Sequence, residues 1–291
     1  MRKKNSRRLP VFMLAAEFLI LALETARELT GFVVTRYRIS GGKWDKGKGK
    51  CRIVFLSDLH NRVYGKNNDR LFKDIERQKP DVILAGGDML VGKNGYDYRT
   101  AAEFMKRLPL ICPVYYANGN HEQRMKEHPK AYDQSYREYK KELVEAGVHF
   151  LENESARFLC KGVPVRVTGL EIPGKGYAKV KRKEPDLRTL KSCIGECDRK
   201  SLQILLAHNP SYMNTYLKWG ADLVLSGHFH GGVIGIPGFR GMISPALKLF
   251  PEYSGGFYKR GKQAAVVSRG IGNHTIPIRL FNAAEIIVLE F

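Results

Sequence analysis

The chain has 291 residues, 43% of them apolar and 27% charged, a balance that excludes a disordered, collagen-like or coiled-coil protein. Only one apolar run approaches membrane-spanning length, which excludes a polytopic membrane protein. Lys and Arg number 49 against 29 Asp and Glu, a net charge of +20, and this favours an anionic partner: phosphate, nucleic acid or an acidic membrane surface.

Residues 1–8, MRKKNSRR, carry five cations and lead into LPVFMLAAEFLILAL at 9–23, interrupted only by Glu17. A bilayer core takes about 20 apolar residues, and a carboxylate at mid-span costs about 2.5–3.5 kcal/mol. No A-x-A cleavage site follows. The segment 1–39 is therefore expected to be a membrane anchor, either monotopic or single-pass, with a buried soluble helix and a cleaved signal peptide as the competing readings. In the single-pass form the cations stay in the cytoplasm and the rest of the chain lies outside. Residues 40–50, SGGKWDKGKGK, read as a flexible basic linker. A chain starting near Ile39 is expected to be soluble and to keep the whole site. The five cysteines, Cys51, Cys112, Cys160, Cys193 and Cys197, are too few and too oddly numbered for a disulfide framework; free thiols are expected, with Cys193–Cys197 as the one local pairing.

From Cys51 onward strands and helices alternate. Strands are predicted at Arg52–Ser57, Asp81–Ala85, Pro113–Ala117, Ser201–Ala207 and Asp222–Ser226. Helices are predicted at Asn67–Gln78, Thr100–Leu108, Pro129–Ala146 and Pro210–Trp219. Two or three strands fall in 149–171, and shorter ones near 232–236, 255–259, 263–269 and 284–290. Residues 173–200 are Gly- and Lys-rich and read as irregular; 175–191 is a solvated basic loop. Residues 236–253 are apolar and broken by Pro and Gly. The pattern is α/β with a large mixed sheet, one domain over 51–291.

Polar residues collect where these strands end, the place where open α/β sheets bind ligands. The first strand runs into Ser57-Asp58-Leu59-His60, the second into Gly86-Gly87-Asp88, the third into Asn118-Gly119-Asn120-His121-Glu122. Later strands end in His208-Asn209-Pro210 and Gly227-His228-Phe229-His230. Five of the eight histidines lie in these segments. Buried polar groups converging at one edge need partners, at about 1–3 kcal/mol each if left without, and a metal centre satisfies them together. The donors are imidazole, carboxylate and amide with no thiolate, which suits manganese, iron or zinc in a hydrolytic site, manganese foremost. His128, His149 and His274 read as surface or packing residues.

The ordered set DLH at 58–60, GD at 87–88, GNHE at 119–122, His208 and GHFH at 227–230 resembles the calcineurin-like metallophosphoesterases over about 240 residues. Local wording such as SDLHN, LAGGDML, SGHFHGG and PIRLFNAAEI is similar to that of bacterial, often membrane-associated members, lipid-sugar nucleotide hydrolases and cell-envelope phosphoesterases among them. The resemblance implies a four-layer sandwich, two facing mixed β-sheets flanked by helices. It implies two divalent metal ions: Asp58, His60 and His230 on the first, Asp88 bridging, and Asn120, His208 and His228 on the second. His121 is implied to face the substrate phosphate as general acid or transition-state donor. Many relatives carry a further Asp shortly after the GD to orient that histidine; here Val91 and Gly92 stand in its place, and the partner of His121 is left open. In the closing segment Ala284 replaces a Pro that is frequent in relatives.

These readings converge on a binuclear metal-dependent phosphoesterase. It is expected to hydrolyse a phosphate ester or pyrophosphate, lipid-linked substrates among them, at a bacterial membrane surface, by in-line attack of a hydroxide held between the ions. A nuclease or nucleic-acid binder is the alternative raised by the charge, but no helix carries a clustered basic face with interleaved aromatics, so no specific nucleic acid is expected. A non-catalytic scaffold on the same fold is the other alternative; such proteins lose metal ligands, and all seven positions are filled here. The sequence does not give the oligomeric state.

Overall fold

Side chains alternate across a strand, and Ile53-Val54-Phe55-Leu56 uses both faces: Ile53 and Phe55 join one apolar cluster, Val54 and Leu56 another. The computed structural model describes residues 8–47, 49–172, 174–177, 184–232, 252–273 and 279–291. The strands in chain order are β1 (Phe32–Arg38), β2 (Arg52–Leu56), β3 (Val82–Ala85), β4 (Val114–Tyr116), β5 (Val148–Phe150), β6 (Ser155–Cys160), β7 (Val163–Leu170), β8 (Leu202–Ala207), β9 (Leu223–Ser226), β10 (Gly256–Arg260), β11 (Gln263–Val267) and β12 (Ala284–Glu290). They form two six-stranded mixed sheets, β1-β12-β2-β3-β4-β5 and β10-β11-β9-β8-β7-β6. The helices are α1 (Arg8–Thr30), α2 (Asp69–Arg77), α3 (Arg99–Met105), α4 (Asn120–Glu127), α5 (Ser135–Glu145), α6 (Leu187–Ile194) and α7 (Met213–Trp219).

Three apolar clusters make the layers. Ile53, Phe55, Leu84, Val167, Ile204, Leu206, Leu225 and Val266 fill the space between the sheets. Val54, Leu56 and Ile83 pack outward against Leu71 and Ile75 of α2, Phe104 of α3 and Leu143 of α5. Leu205 and Val224 pack outward against Leu190 and Ile194 of α6 and Tyr216 and Trp219 of α7. Helix, sheet, sheet, helix is the expected four-layer order. In the first sheet β2, β3 and β4 run parallel, and in the second β7, β8 and β9 do, so the loops that follow β2, β3, β4, β8 and β9 emerge at the carboxyl ends of their sheets.

Several expectations are corrected. Residues 32–38 lie upstream of the expected start at residue 51, yet they form β1, paired in parallel with all of β12. Glu285 of β12 is buried and accepts hydrogen bonds from Thr35 of β1 and from Arg269. The expected linker is not free either: Trp44 is 3% exposed and packs edge-on against Phe291 at 5.0 Å between ring centroids. Helix α1 forms, but among the described residues no helix is long and apolar enough to cross a membrane; Glu17, Glu24, Arg27 and Glu28 interrupt it. The single-pass form of the anchor is thereby withdrawn. Cys51 and Cys160, 109 residues apart, form a disulfide that ties the start of β2 to the end of β6, while Cys193 and Cys197 are free.

The long helix expected at 129–146 is split, because Asp133 (φ 47°) and Gln134 (φ 60°) are left-handed and only Ser135–Glu145 is regular. In the stretch read as irregular, α6 forms under an Asp186 cap whose side chain accepts from Thr189 N–H at 2.8 Å. The strand near 232–236, most of the apolar stretch 236–253, part of the basic loop 175–191, and His274 lie outside the described residues.

The place of β1 gives a first test. A chain beginning at Ile39 loses β1 and bares the β12 edge together with Ile286 and Val288, both fully buried. Exposing such side chains costs about 1.5–3 kcal/mol each. Thermal unfolding of that shortened protein should occur several degrees lower, or the protein should be recovered insoluble. A melting temperature equal to that of the full chain would show β1 to be dispensable.

Candidate metal centre

Five of the sequence-predicted site residues sit on strained backbone. Asp58 (φ 55°), His60 (φ 46°), Asp88 (φ 54°), His228 (φ 67°) and His230 (φ 49°) are all left-handed. Such conformations cost about 1–3 kcal/mol each and persist where the surroundings over-determine them. Here cross-loop hydrogen bonds do so. Asp58 N–H donates to Gly87 O at 2.9 Å, His60 N–H to Asp88 O at 3.1 Å and Asn61 N–H to Met89 O at 3.0 Å, stitching the β2 loop to the β3 loop. Gly227 N–H donates to His208 O at 3.0 Å, and His228 N–H to Asp58 Oδ1 at 3.0 Å. Gly227 permits this approach: a Cβ there would stand 2.1 Å from Asp58 Oδ2 and 2.0 Å from Ser57 Oγ.

The turns aim the predicted side chains at one place. Asp58, His60 and His230 bring one donor atom each within 4.8 Å of one another, as do Asp88, His208 and His228, and a third trio joins His60, Asp88 and His121. His230 Nε2 lies 3.3 Å from Asp58 Oδ1, and His208 Nε2 3.1 Å from Asp88 Oδ2. His60 Nε2 is 3.8 Å from Asp88 Oδ2 and 3.1 Å from His230 Nε2. At most one hydrogen can lie between those two nitrogens. Asn120 opens α4 beside them, and its Oδ1 is buried without a hydrogen-bond partner. A buried acceptor with no donor, one residue before His121, whose N–H donates to Asp88 Oδ1 at 2.8 Å, fits a cation.

Electrostatics agree. Burial would raise the Asp58 and Asp88 carboxyls, but the charges of His230 and His208 at Asp58, and of His208 and His121 at Asp88, hold both below the ordinary carboxylate range. Burial would lower His208, but Asp88 and Asp58 outweigh it and push the imidazole up to about 10. Burial dominates at His60, held well below its ordinary value, and at His228, brought down to about 3. Two buried anions thus draw positive charge into the cluster, and a metal ion would supply it. His208 is preset for that: its Nδ1 lies 2.7 Å from the Gly86 carbonyl, which takes the Nδ1 hydrogen and leaves Nε2 with a lone pair in the neutral ring. At His121 the opposite group faces Nδ1, the Gly92 N–H at 2.8 Å; this is the partner left open by the sequence.

Other supporting residues were not singled out from the sequence. Glu122 is buried; its carboxylate accepts from Asp88 N–H and Met89 N–H at 2.8 Å, Gly119 N–H at 3.0 Å and Tyr116 OH at 2.7 Å. It locks the β3 and β4 loops together, and burial with the nearby Asp88 charge pushes it up to about 7. Its signal was an acid three residues after Gly119, a helix-capping position. Asn282, at 2% exposure, donates to His230 O at 2.7 Å and Gly232 O at 2.6 Å. Its own N–H donates to Glu28 of α1 at 2.9 Å. Asn118 donates to Tyr136 OH at 2.6 Å and Glu171 at 2.7 Å, and Lys126 bridges Glu171 and Glu152 at 2.8 Å each.

That last network gives a pH test. Burial would raise Glu152, but Lys126, Tyr136 and Lys140 outweigh it and hold the carboxyl down from 4.5 to about 2. A depressed folded-state pKa contributes stability above the unfolded value, lost as pH falls through the folded one. Glu152→Gln should therefore lower the melting temperature by a few degrees at pH 7, and its deficit against the wild type should shrink below about pH 4.5 and close near pH 2. A constant deficit across that range would place the effect in packing.

Comparison with known proteins agrees with the geometry. A 244-residue stretch is 29% identical to the Bacillus subtilis protein YpbG, covering 81% of this chain and 78% of that one. A metallophosphoesterase of Aquifex aeolicus is 28% identical over 260 residues, 88% of this chain and 90% of its own length. The Escherichia coli phosphodiesterase YaeI is 25% identical over 262 residues, 89% and 88% respectively. The profile of the calcineurin-like phosphoesterases matches residues 51–232, the span that carries β2 through β9 and every predicted ligand, and the chain belongs to that family of metal-dependent phosphoesterases.

Proposed function

We propose that the chain holds two divalent metal ions and hydrolyses a phosphate ester or pyrophosphate. The observation that carries this reading is the pair of three-donor clusters, Asp58–His60–His230 and Asp88–His208–His228, brought within reach of each other by Asp88. Asp58, His60 and His230 hold the first ion, Asp88 is shared, and Asn120, His208 and His228 hold the second. The donor set lacks thiolate and mixes nitrogen with oxygen, which suits manganese, iron or zinc, and manganese is the ion proposed. Bound ions supply charge neutralisation at the phosphate oxygens and an activated water for in-line displacement.

The chain's own residues do the rest. His121 Nε2 is turned toward Asp88 Oδ2 at 4.0 Å, so a phosphoryl group entering the cluster meets that nitrogen. Glu122 and the cross-loop bonds keep the ligand backbones fixed, so little reorganisation is needed on binding. The net charge of +20 raises the local concentration of anionic substrate. Asp88→Asn should lower kcat/KM by about 10³-fold or more with the fold retained, since the shared charge is lost; near-normal turnover with an unchanged melting temperature would end the assignment. Removal of metal by chelation should abolish activity and lower the melting temperature, and re-addition of manganese should restore both.

We further propose a monotopic contact with a bacterial membrane surface, with the catalytic body on the outer side and a membrane lipid phosphate among the substrates. Met13, Leu19, Ile20, Leu21 and Leu23 of α1 are exposed, between 41% and 63%, and Leu19, Ile20 and Leu23 share a face at helical spacing. The Cys51–Cys160 disulfide supports an oxidising compartment. Fractionation tests the contact: full-length protein should sediment with membranes and resist high-salt washing, which strips purely electrostatic binders, while Leu19→Asp with Leu23→Asp should release it. Release of the wild type by salt alone would reduce the contact to charge.

A further inference from the structure

A histidine ring nitrogen takes its role from whatever faces the other one. At His208 a carbonyl faces Nδ1, so in the neutral ring Nε2 offers a lone pair. At His121 the backbone N–H of Gly92 faces Nδ1 at 2.8 Å. An amide N–H can only donate, so this nitrogen carries the lone pair and the ring's single hydrogen sits on Nε2, the nitrogen turned toward Asp88 Oδ2 at 4.0 Å. Gly92 is held on both sides of its Cα. Its carbonyl accepts from Arg124 Nη2 at 2.7 Å, and a Cβ on residue 92 would stand 2.6 Å from the His121 carbonyl oxygen. Only glycine lets the two backbones approach this closely.

We propose that Gly92 is a positioning residue that holds His121 as a fixed Nε2–H donor, and that His121 stabilises the reacting phosphoryl group by hydrogen bonding without transferring its proton. The proposal rests on the phosphoesterase reading above. Two consequences follow from where the hydrogen sits. His121 is not a metal ligand, although it lies in a trio with His60 and Asp88, because ligation needs the Nε2 lone pair. It is not a general acid either, because loss of the Nε2 hydrogen would leave an imidazolate. The attacking water's oxygen forms the new P–O bond and its proton passes to solvent. The old P–O bond breaks with its electron pair on the leaving oxygen, which takes no proton from His121. Such chemistry favours leaving groups stable as anions, phosphate anhydrides and acidic esters, over simple alkyl monoesters.

Two measurements test this. The full chain, labelled with ¹⁵N-histidine and loaded with zinc, should show His121 with Nδ1 unprotonated and Nε2 protonated in its long-range ¹H–¹⁵N spectrum. A protonated Nδ1 overturns the proposal. The spectrum needs no turnover, so it decides the tautomer even if the phosphoesterase reading fails through inactivity on every ester tried. The second measurement follows hydrolysis of aryl phosphodiesters graded in leaving-group acidity, with metal content and melting temperature as controls on folding. His121→Ala should lose about 10²–10³-fold in kcat, the range for a lost transition-state donor, by the same factor across the series. His121→Gln, whose amide donates but transfers no proton, should recover at least about tenfold of that loss. A loss that grows as the leaving group becomes less acidic, with Gln no better than Ala, would show proton transfer and overturn the proposal.

Discussion

Two carboxylates, Asp58 and Asp88, are buried to 0% and 2% exposure, and His208 Nε2 reaches both, at 3.7 and 3.1 Å. Like charges in a low-dielectric interior repel, and an isolated buried carboxylate is costly. Positive charge must come between them. Protonated His208 provides part of it, which is why that imidazole is pushed up to about 10; a bound cation would provide it more fully. The surrounding architecture holds the two acids in place against that repulsion. Asp58 accepts from His228 N–H at 3.0 Å and from the neighbouring Ser57 hydroxyl. Asp88 accepts from His121 N–H at 2.8 Å and is itself held through its N–H by Glu122.

The same constraint explains which parts of the molecule could be read from sequence. A site built from buried acids and imidazoles must draw those residue types from the ends of buried strands, and apolar runs followed by DLH, GD, GNHE and GHFH announce both the strand and the ligand. The runs implied an α/β chain with a large mixed sheet, and the resemblance implied its division into four layers. Helix α4 was missed because NHEQRMKE is nearly all polar and gives hydrophobic periodicity nothing to work on; its start is set by Gly119 and Glu122 instead. Helix α6 carries Leu187, Leu190 and Ile194 at helical spacing, hidden inside a Lys-rich stretch. Strand β1 was absorbed into the apolar run before it, although Val33, Val34 and Thr35 are β-branched and follow Gly31. The Cys51–Cys160 pair joins positions 109 residues apart, and nothing in local spacing reports a contact between two sheets.

Within the site, residue type told less than backbone placement. His121 and His208 are both histidines after apolar strands, and their side chains both approach Asp88 Oδ2, at 4.0 and 3.1 Å. What separates them is a single peptide group each: the Gly86 carbonyl behind one ring and the Gly92 amide behind the other. A one-letter motif cannot encode which end of a peptide faces a ring. It can encode a glycine, and a Cβ at residue 92 would stand 2.6 Å from the His121 carbonyl oxygen.

Helix α1 is not an appendage to this arrangement. Glu28, in its last two turns, is 4% exposed and accepts the Asn282 N–H, while the Asn282 side chain donates to the carbonyls of His230 and Gly232. On the other side of the helix end, Arg62 donates to the Leu29 carbonyl, two residues beyond His60. Undocking α1 would leave the Asn282 N–H and the Glu28 carboxylate to find new partners, at about 1–3 kcal/mol for each buried group left without one. Leu23 lies five residues before Glu28, about 7.5 Å along the helix axis, so the exposed apolar face begins one to two turns from the group that braces His230. Through Glu28 and Asn282 the docked helix thus helps to hold the backbone that carries His230.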